Sequence, residues 1–257
     1  MLELCNIKKS FNIGTPDETC LFDSFGFSVE EGEFVSVIGS NGSGKTTLLN
    51  LICGTDTCDG GHILFDGRDI THLPEYKRSR FIGRVFQDPK AGTCSNMSIL
   101  ENMALADCKS TNFGLVKCVN RRREDYYRTL VEECGMGLEN RMSVPVGALS
   151  GGQRQALALV IASMMDIRFL ILDEHTAALD PKSSETIMHL TDKMVTGRKI
   201  TTLMVTHNLR FAVEYGTRLV MMHEGGIVLD TKGEKKAKTT VDDLTKIFND
   251  ISIEMGN

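Results

Sequence analysis

Nine consecutive residues combine glycines, hydroxyls and a lysine at a spacing suited to holding phosphate: Gly39, Ser40, Asn41, Gly42, Ser43, Gly44, Lys45, Thr46 and Thr47. Glycine allows a tight loop whose backbone N–H groups converge on an anion, and a following helix adds its positive dipole end. Lys45 would reach the β- and γ-phosphates, and the Thr46 hydroxyl would be a ligand of Mg²⁺. The alternative is an ordinary glycine-rich turn, but the complete G-x-x-x-x-G-K-T spacing favours a nucleoside triphosphate site.

An acidic pair follows an apolar run in the second half of the chain. Residues Phe169 to Leu172 predict a buried strand, which leads directly into Asp173 and Glu174. The carboxyl end of such a strand is the usual place for a group that organises Mg²⁺, and Asp173 fits that role. Glu174 would orient or deprotonate the attacking water. Alone, the pair is equally a helix N-cap; together with the phosphate-binding loop it favours nucleotide hydrolysis.

A second glycine-rich helix start lies between these two motifs, at Ser150, Gly151, Gly152 and Gln153. Its N–H groups and its hydroxyl predict a second anion site, although the isolated sequence also suits any flexible helix start. Gln87 follows one predicted strand and His207 follows another. The remaining histidines have no metal-ligand spacing and are expected to carry no chemistry.

The elements that must position these residues alternate along the chain. An apolar strand at 34–38 precedes the phosphate-binding loop, a helix follows from Thr46, and further strands are predicted at 81–86, 168–172 and 201–206. Strands that alternate with helices predict a mostly parallel, covered sheet. Alternating apolar residues before position 30 predict short strands, with Phe11 in a polar loop. The ring of Phe11 is either a core residue or a platform for a nucleotide base.

Two segments differ in character from this alternating pattern. Residues 90–165 are predicted to form a helical insertion, beginning with a capping box at Ser98 and Glu101. Apolar residues recur at helical spacing from Val241 to Ile251, which predicts a terminal helix docked on the body, with partner binding as the lesser alternative.

Composition narrows the class of protein. The chain has 257 residues and a formal net charge of −5, which gives no support for nucleic-acid binding. No apolar run approaches the roughly 20 residues that span a bilayer, so a soluble chain is expected. The eight cysteines are scattered without zinc-like spacing, which favours reduced thiols and a cytosolic location.

Taken together, the motifs resemble those of the ATP-binding subunits of ABC transporters over residues 2 to 230. The matching positions are the Walker A loop Gly39–Thr47, the Q-loop residue Gln87, the signature Leu149–Gln153, the Walker B strand Phe169–Asp173 with catalytic Glu174, the D-loop Ala178–Asp180 and the switch histidine His207. The order and spacing of these six motifs are those of the family.

The resemblance implies an α/β fold: a P-loop NTPase (RecA-like) core sheet with an antiparallel β subdomain and an α-helical signature subdomain. The expected division has an ATPase core with the β subdomain in 1–89 and 166–230, the signature subdomain in 90–165 and a C-terminal helical extension in 231–257.

It also implies ATP and Mg²⁺ as cofactors and a head-to-tail homodimer with ATP between one subunit's Walker A loop and the other's signature. Ser150 and Gly152 would then bind the γ-phosphate held by the partner subunit's Lys45, and His207 would contact the same phosphate. Gln87 would touch Mg²⁺ or the attacking water, Phe11 would stack on adenine, and Asp180 of the D-loop would take part in nucleotide binding.

The implied function is an ATPase that powers transport through separate membrane permease subunits, which would place the chain on the cytoplasmic face of the membrane. The residues around Glu174 and His223 resemble a group of importers with substrate-binding proteins of the tryptophan/tyrosine type, which favours import and an extracytoplasmic binding protein. His175 stands where the family usually has proline, and Ala177 where it often has serine. The alternative is a soluble, non-transport ABC ATPase of the cofactor-assembly kind.

Overall fold

The structure is a computed structural model that describes residues 1–108, 119, 121–164 and 166–254. The chain forms two compact units, one made of Met1–His72 with Thr201–Asn257 and the other of Leu73–Ile200. The described strands are β1 (Leu2–Phe11), β2 (Thr19–Val29), β3 (Phe34–Gly39), β4 (Gly60–Phe65), β5 (Arg68–Asp69), β6 (Ile82–Val85), β7 (Phe169–Asp173), β8 (Thr201–Val205), β9 (Arg218–His223) and β10 (Gly226–Lys232). They confirm the predicted α/β class, and the predicted three-part division stays a prediction.

Helices follow most of these strands. The described α-helices are α1 (Lys45–Cys53), α2 (Glu75–Arg78), α3 (Ile99–Asp107), α4 (Glu124–Glu132), α5 (Gly151–Ser163), α6 (Pro181–Arg198), α7 (Leu209–Glu214), α8 (Glu234–Lys238) and α9 (Val241–Glu254). Across the described ranges, none of them is both long enough and apolar enough to cross a membrane.

The first unit contains an antiparallel sheet in the order β2-β1-β4-β5. Leu4 of β1 lies beside Phe27 of β2 on one side and Ile63 of β4 on the other. Buried and exposed residues alternate along β1, as expected for a strand with one covered face. The polar loop predicted around Phe11 is wrong, because β1 continues to Phe11, which pairs with Thr19 of β2.

The same unit contains the strands β10-β9-β3-β8, in that order. β3 is parallel to both neighbours, with Val35 beside Leu203 of β8 and Val37 beside Val220 of β9. Every residue of β3 is buried, which explains why its sequence is a continuous apolar run. Because β3 and β8 are parallel, their carboxyl ends lie at one edge of these strands, and the loop after β3 and the residues after β8 both leave from that edge.

The terminal helix α9 packs in the first unit, as its helical spacing predicted. Leu244 is fully buried in a cluster with Ala212 of α7 and Met221 of β9. Ile247 and Phe248 pack against the same cluster. The apolar face of α9 is therefore partly covered by its own chain, with Leu244 fully buried and Val241 exposed.

The second unit contains the parallel pair β6 and β7, in which Arg84 lies beside Ile171. A Cβ atom at Gly83 would come within 2.4 Å of the Ala162 carbonyl oxygen, so glycine allows α5 to lie close against β6. The predicted helical insertion corresponds to α3, α4 and α5 in the described part of the segment.

Candidate functional site

The glycine-rich loop joins β3 to α1 in the first unit and closes around its own lysine. The Lys45 ammonium donates to the carbonyl oxygens of Gly39 and Ser40, both at 2.8 Å, and lies 3.4 Å from Ser43 Oγ. Lys45 is buried, whereas Thr46 in the first turn of α1 is exposed. The loop thus holds a fixed cation beside a helix N-terminus, an arrangement that binds phosphate.

Two glycines are required for the loop to take this shape. A Cβ atom at Gly39 would come within 2.2 Å of the Met222 carbonyl oxygen. Gly44 has a φ of +99°, and a Cβ atom there would come within 2.8 Å of the Phe22 ring. No L side chain fits at either position without displacing backbone or a buried ring, so both glycines are structural requirements of the loop.

The hairpin of β9 and β10 contacts this loop through two residues. His223 Nδ1 lies 3.2 Å from Ser40 Oγ, and the Gly225 N–H donates to the Ser43 carbonyl oxygen at 3.1 Å. Sequence reasoning assigned no chemistry to His223 because it considered metal-ligand spacing alone. The contact joins residues 183 positions apart, and no local pattern signals it.

Phe11 and His207 also lie in the first unit. Phe11 is 37% exposed, so the core interpretation of this ring is wrong. The ammonium of buried Lys9 lies 5.1 Å from the ring centroid and donates to Asp56 Oδ1 and the Thr57 carbonyl oxygen. His207 is exposed directly after β8, at the sheet edge that carries the glycine-rich loop.

In the second unit, Asp173 ends β7 and is paired with an arginine. Arg84 Nη2 lies 2.6 Å from Asp173 Oδ2, and both side chains are largely buried. Glu174 follows with a φ of +47°, a left-handed conformation that costs a non-glycine residue about 1 to 3 kcal/mol. The Ala177 N–H donates to the Glu174 carbonyl oxygen at 2.9 Å and holds this turn. Gln87 is exposed and follows β6. Because β6 and β7 are parallel neighbours, it leaves the strand pair at the same end as Asp173.

The glycine-rich start of α5 also belongs to the second unit. Ser150 is its N-cap, accepting from the Gln153 N–H at 3.2 Å, while Gln153 Oε1 accepts from the Ser150 N–H at 3.2 Å. Cβ atoms at Gly151 and Gly152 would lie 3.4 Å from Leu179 and Ser183, so this helix start is close to the start of α6. Ser150 itself is exposed. Gln153 therefore has a capping role, which sequence reasoning had not given it.

Asp180 caps α6 and accepts from the Ser183 N–H at 3.1 Å. The hydrogen bonds from Ser183 hold the pKa of the Asp180 carboxyl below its ordinary value. Local capping accounts for this aspartate in the single chain, and its predicted part in nucleotide binding stays a prediction.

His175 is fully buried after Glu174, with Nε2 3.2 Å from Thr191 Oγ1 of α6. Burial lowers the pKa of His175 to about 4, whereas an unfolded chain protonates near pH 6.5. Between these values the unfolded chain binds a proton that the folded chain does not. We therefore expect this residue to lower the free energy of unfolding by about 2 kcal/mol between pH 7.5 and pH 5.

Urea denaturation of the wild type and of His175→Gln at both pH values measures this effect. The variant should lose less stability on acidification than the wild type. His189→Gln, a change at an exposed histidine of α6, is the matched control and should keep the wild-type slope. Equal pH dependence in the wild type and His175→Gln would contradict the assignment.

The residues fit Mg²⁺ bound together with a nucleotide rather than by protein alone. Within the described ranges, no three His, Cys, Asp or Glu side chains are grouped to hold a metal. Mg²⁺ in nucleotide sites usually takes one or two protein oxygens, with phosphates and water completing the shell. The Asp173 carboxylate already pairs with one cation, the guanidinium of Arg84. The Thr46 hydroxyl, next to Lys45 in the sequence, is exposed.

A phosphate-binding loop after one buried parallel strand and an Asp-Glu pair after another define a P-loop nucleoside triphosphatase of the α/β class. Residues 22–177 match the ABC transporter family, and the chain belongs to that family of ATP-binding proteins. It is therefore an ATPase with an ABC cassette.

Relatives support this assignment along the whole chain. The chain is 46% identical to the tyrosine transport ATP-binding protein of Clostridioides difficile strain R20291, covering 96% of this chain and 98% of the relative. It is 32% identical to the spermidine/putrescine import ATP-binding protein PotA of Mannheimia succiniciproducens, covering 90% of this chain but 57% of the relative's length. A solved ATP-binding cassette, a dimer in a post-hydrolysis state with ADP and phosphate, superposes with a TM-score of 0.76 at 28% identity, covering 90% of this chain and 98% of the cassette.

Proposed function

We propose that this chain is the ATPase subunit of an importer whose substrate is an aromatic amino acid such as tyrosine. The observation that carries the proposal is the 46% identity to a tyrosine transport ATP-binding protein over nearly the full length of both chains. The spermidine/putrescine relative is an import protein by name, and this supports the direction of transport. A soluble cofactor-assembly ATPase, the alternative left open by the sequence, has no comparable support.

In this proposal the phosphate-binding loop and the Asp-Glu pair have distinct chemical roles. Lys45 exchanges the Gly39 and Ser40 carbonyl oxygens for oxygens of the β- and γ-phosphates, and the loop N–H groups bind the same anion. Thr46 and Asp173 would hold Mg²⁺, with Gln87 beside it. The metal would neutralise phosphate charge as the γ-phosphoryl bond breaks.

Hydrolysis also needs a positioned water. Glu174 is the proposed general base for that water, and the left-handed backbone at Glu174 sets the direction in which its carboxylate leaves the strand end. His207 would contact the γ-phosphate from its exposed position after β8, and Phe11 offers an accessible ring on which adenine would stack.

The proposed assembly is a homodimer bound to two permease subunits and, as an importer, served by an extracytoplasmic binding protein. A solved cassette that superposes on this chain is a dimer, and this supports dimerisation. In a head-to-tail dimer, Ser150, Gly151 and Gly152 would complete the site held by the partner subunit's Walker A loop. Exposed Ser150, at the N-terminus of α5, is suited to that contact.

Affinity capture tests the transport role. The Glu174→Gln chain is used as bait in detergent-solubilised native membranes with ATP, and captured proteins are identified by mass spectrometry. A multi-span permease is the expected partner, and a co-purified binding protein specific for tyrosine would support import. The Lys45→Ala chain is the control for ATP-dependent capture. Recovery of soluble partners alone would contradict the transporter role.

A further inference from the structure

Arg84 and Asp173 form an ion pair at the end of the β6 and β7 pair. The Nη2 and Oδ2 atoms are 2.6 Å apart, and the two side chains are only 13% and 15% exposed. A charge-assisted bond this short and this well shielded from water is strong compared with a surface ion pair. The ion pair holds a positive charge against the Asp173 carboxylate, which is proposed to bind Mg²⁺.

A guanidinium and Mg²⁺ seek the same oxygen lone pairs. Arg84 occupies one oxygen of Asp173, and its charge repels a second cation near the same carboxylate. The Arg84 guanidinium carbon also lies 4.9 Å from the centroid of the Phe86 ring. The guanidinium makes both contacts at once, so the ring contact can hold the side chain in place when the ion pair weakens.

We propose that Arg84 is a positioning residue that sets the Mg²⁺ concentration at which the chain binds ATP. Without metal, Arg84 neutralises Asp173 and holds its carboxylate in place. When the metal binds, Arg84 must weaken or give up its contact with Asp173. The free energy of breaking this ion pair is subtracted from the free energy of Mg²⁺ binding, so the apparent affinity for Mg²⁺ falls. The inference rests on the proposed role of Asp173 in metal binding, and it adds a residue outside the recognised motifs.

The test measures binding rather than turnover. ATP binding to the full-length Glu174→Gln chain is titrated with Mg²⁺ at fixed ATP by isothermal calorimetry, with and without Arg84→Met. Loss of the competing charge should lower the half-saturating Mg²⁺ concentration about tenfold. Arg84→Lys keeps the positive charge and should therefore shift the titration less than the neutral variants do. Arg80→Met removes an exposed arginine of the same unit and should not change the titration.

Arg84→Gln provides a second neutral variant if the methionine chain does not fold, and it should shift the titration in the same direction. An unchanged or higher Mg²⁺ requirement in the neutral variants would overturn the inference, since Arg84 would then only support the fold or orient Asp173. Failure of the proposed metal role has a different signature: Asp173→Asn in the Glu174→Gln chain would then leave the half-saturating Mg²⁺ concentration unchanged, because Thr46 and the phosphates alone would hold the metal.

Discussion

Replacing Glu174 by glutamine is expected to reduce ATP turnover by about 10² to 10⁴-fold, the range for loss of a general base. The amide is isosteric with the carboxylate but accepts no proton at neutral pH, so the attacking water is not activated. ATP binding should be retained, because Lys45 and its loop belong to the other unit and are unchanged. ATP should then hold the chain as a dimer, since the bound nucleotide is not consumed.

Phosphate release measures the loss of turnover, and size-exclusion chromatography with and without ATP measures the trapped dimer. Glu185→Gln makes the same chemical change at an exposed position of α6 in the same unit and should keep turnover. Turnover by Glu174→Gln within about twofold of the wild type would remove Glu174 from the role of base.

Replacing Ser150 by arginine is expected to reduce hydrolysis about 100-fold or more while leaving ATP binding by each subunit intact. The physical reason is that Ser150 is exposed at the start of α5, where a long cationic side chain would fill the space proposed for the partner's nucleotide. Loss of a single oxyanion or phosphate contact alone costs about 10² to 10³-fold. ATPase assays and calorimetric ATP binding separate the two effects.

Loss of the helix cap is the competing explanation, and the chain offers a matched control. Ser98 caps α3 with the same kind of capping box, here with Glu101. Ser98→Arg therefore loses an equivalent cap, worth about 1 kcal/mol, away from the signature sequence. It should keep hydrolysis. Equal loss of activity in both variants would attribute the effect to stability.

Mixing two inactive chains gives a sharper test of the head-to-tail arrangement. A dimer of one Lys45→Ala chain and one Ser150→Arg chain has both changes in one composite site and neither in the other. Random pairing makes half of the dimers mixed, so activity should return to about a quarter of the wild-type value. No recovery would contradict the sharing of Ser150 across the dimer.

Sequence alone determined the class of protein and the local elements that carry its chemistry. The phosphate-binding loop is contiguous, and the strand before it and the helix after it are set by neighbouring residues: an apolar run for β3 and a glycine-rich turn into α1. The same holds for the cap of α5 and for the apolar face of α9, where spacing along one helix is enough. These features depend on backbone preferences and on the spacing of apolar residues, both of which are determined by short stretches of sequence.

Only the tertiary structure decided which side chains support these motifs. Arg84 meets Asp173 because β6 and β7 are adjacent and parallel, although 89 positions separate the two residues. His223 meets Ser40 because β9 lies beside β3. His175, which follows β7, meets Thr191 of α6, 16 positions along the chain. Phe11 is exposed at the end of β1, where it pairs with Thr19 of β2. Such contacts depend on strand order and register, which are set by the packing of the whole sheet and leave no local pattern in the chain.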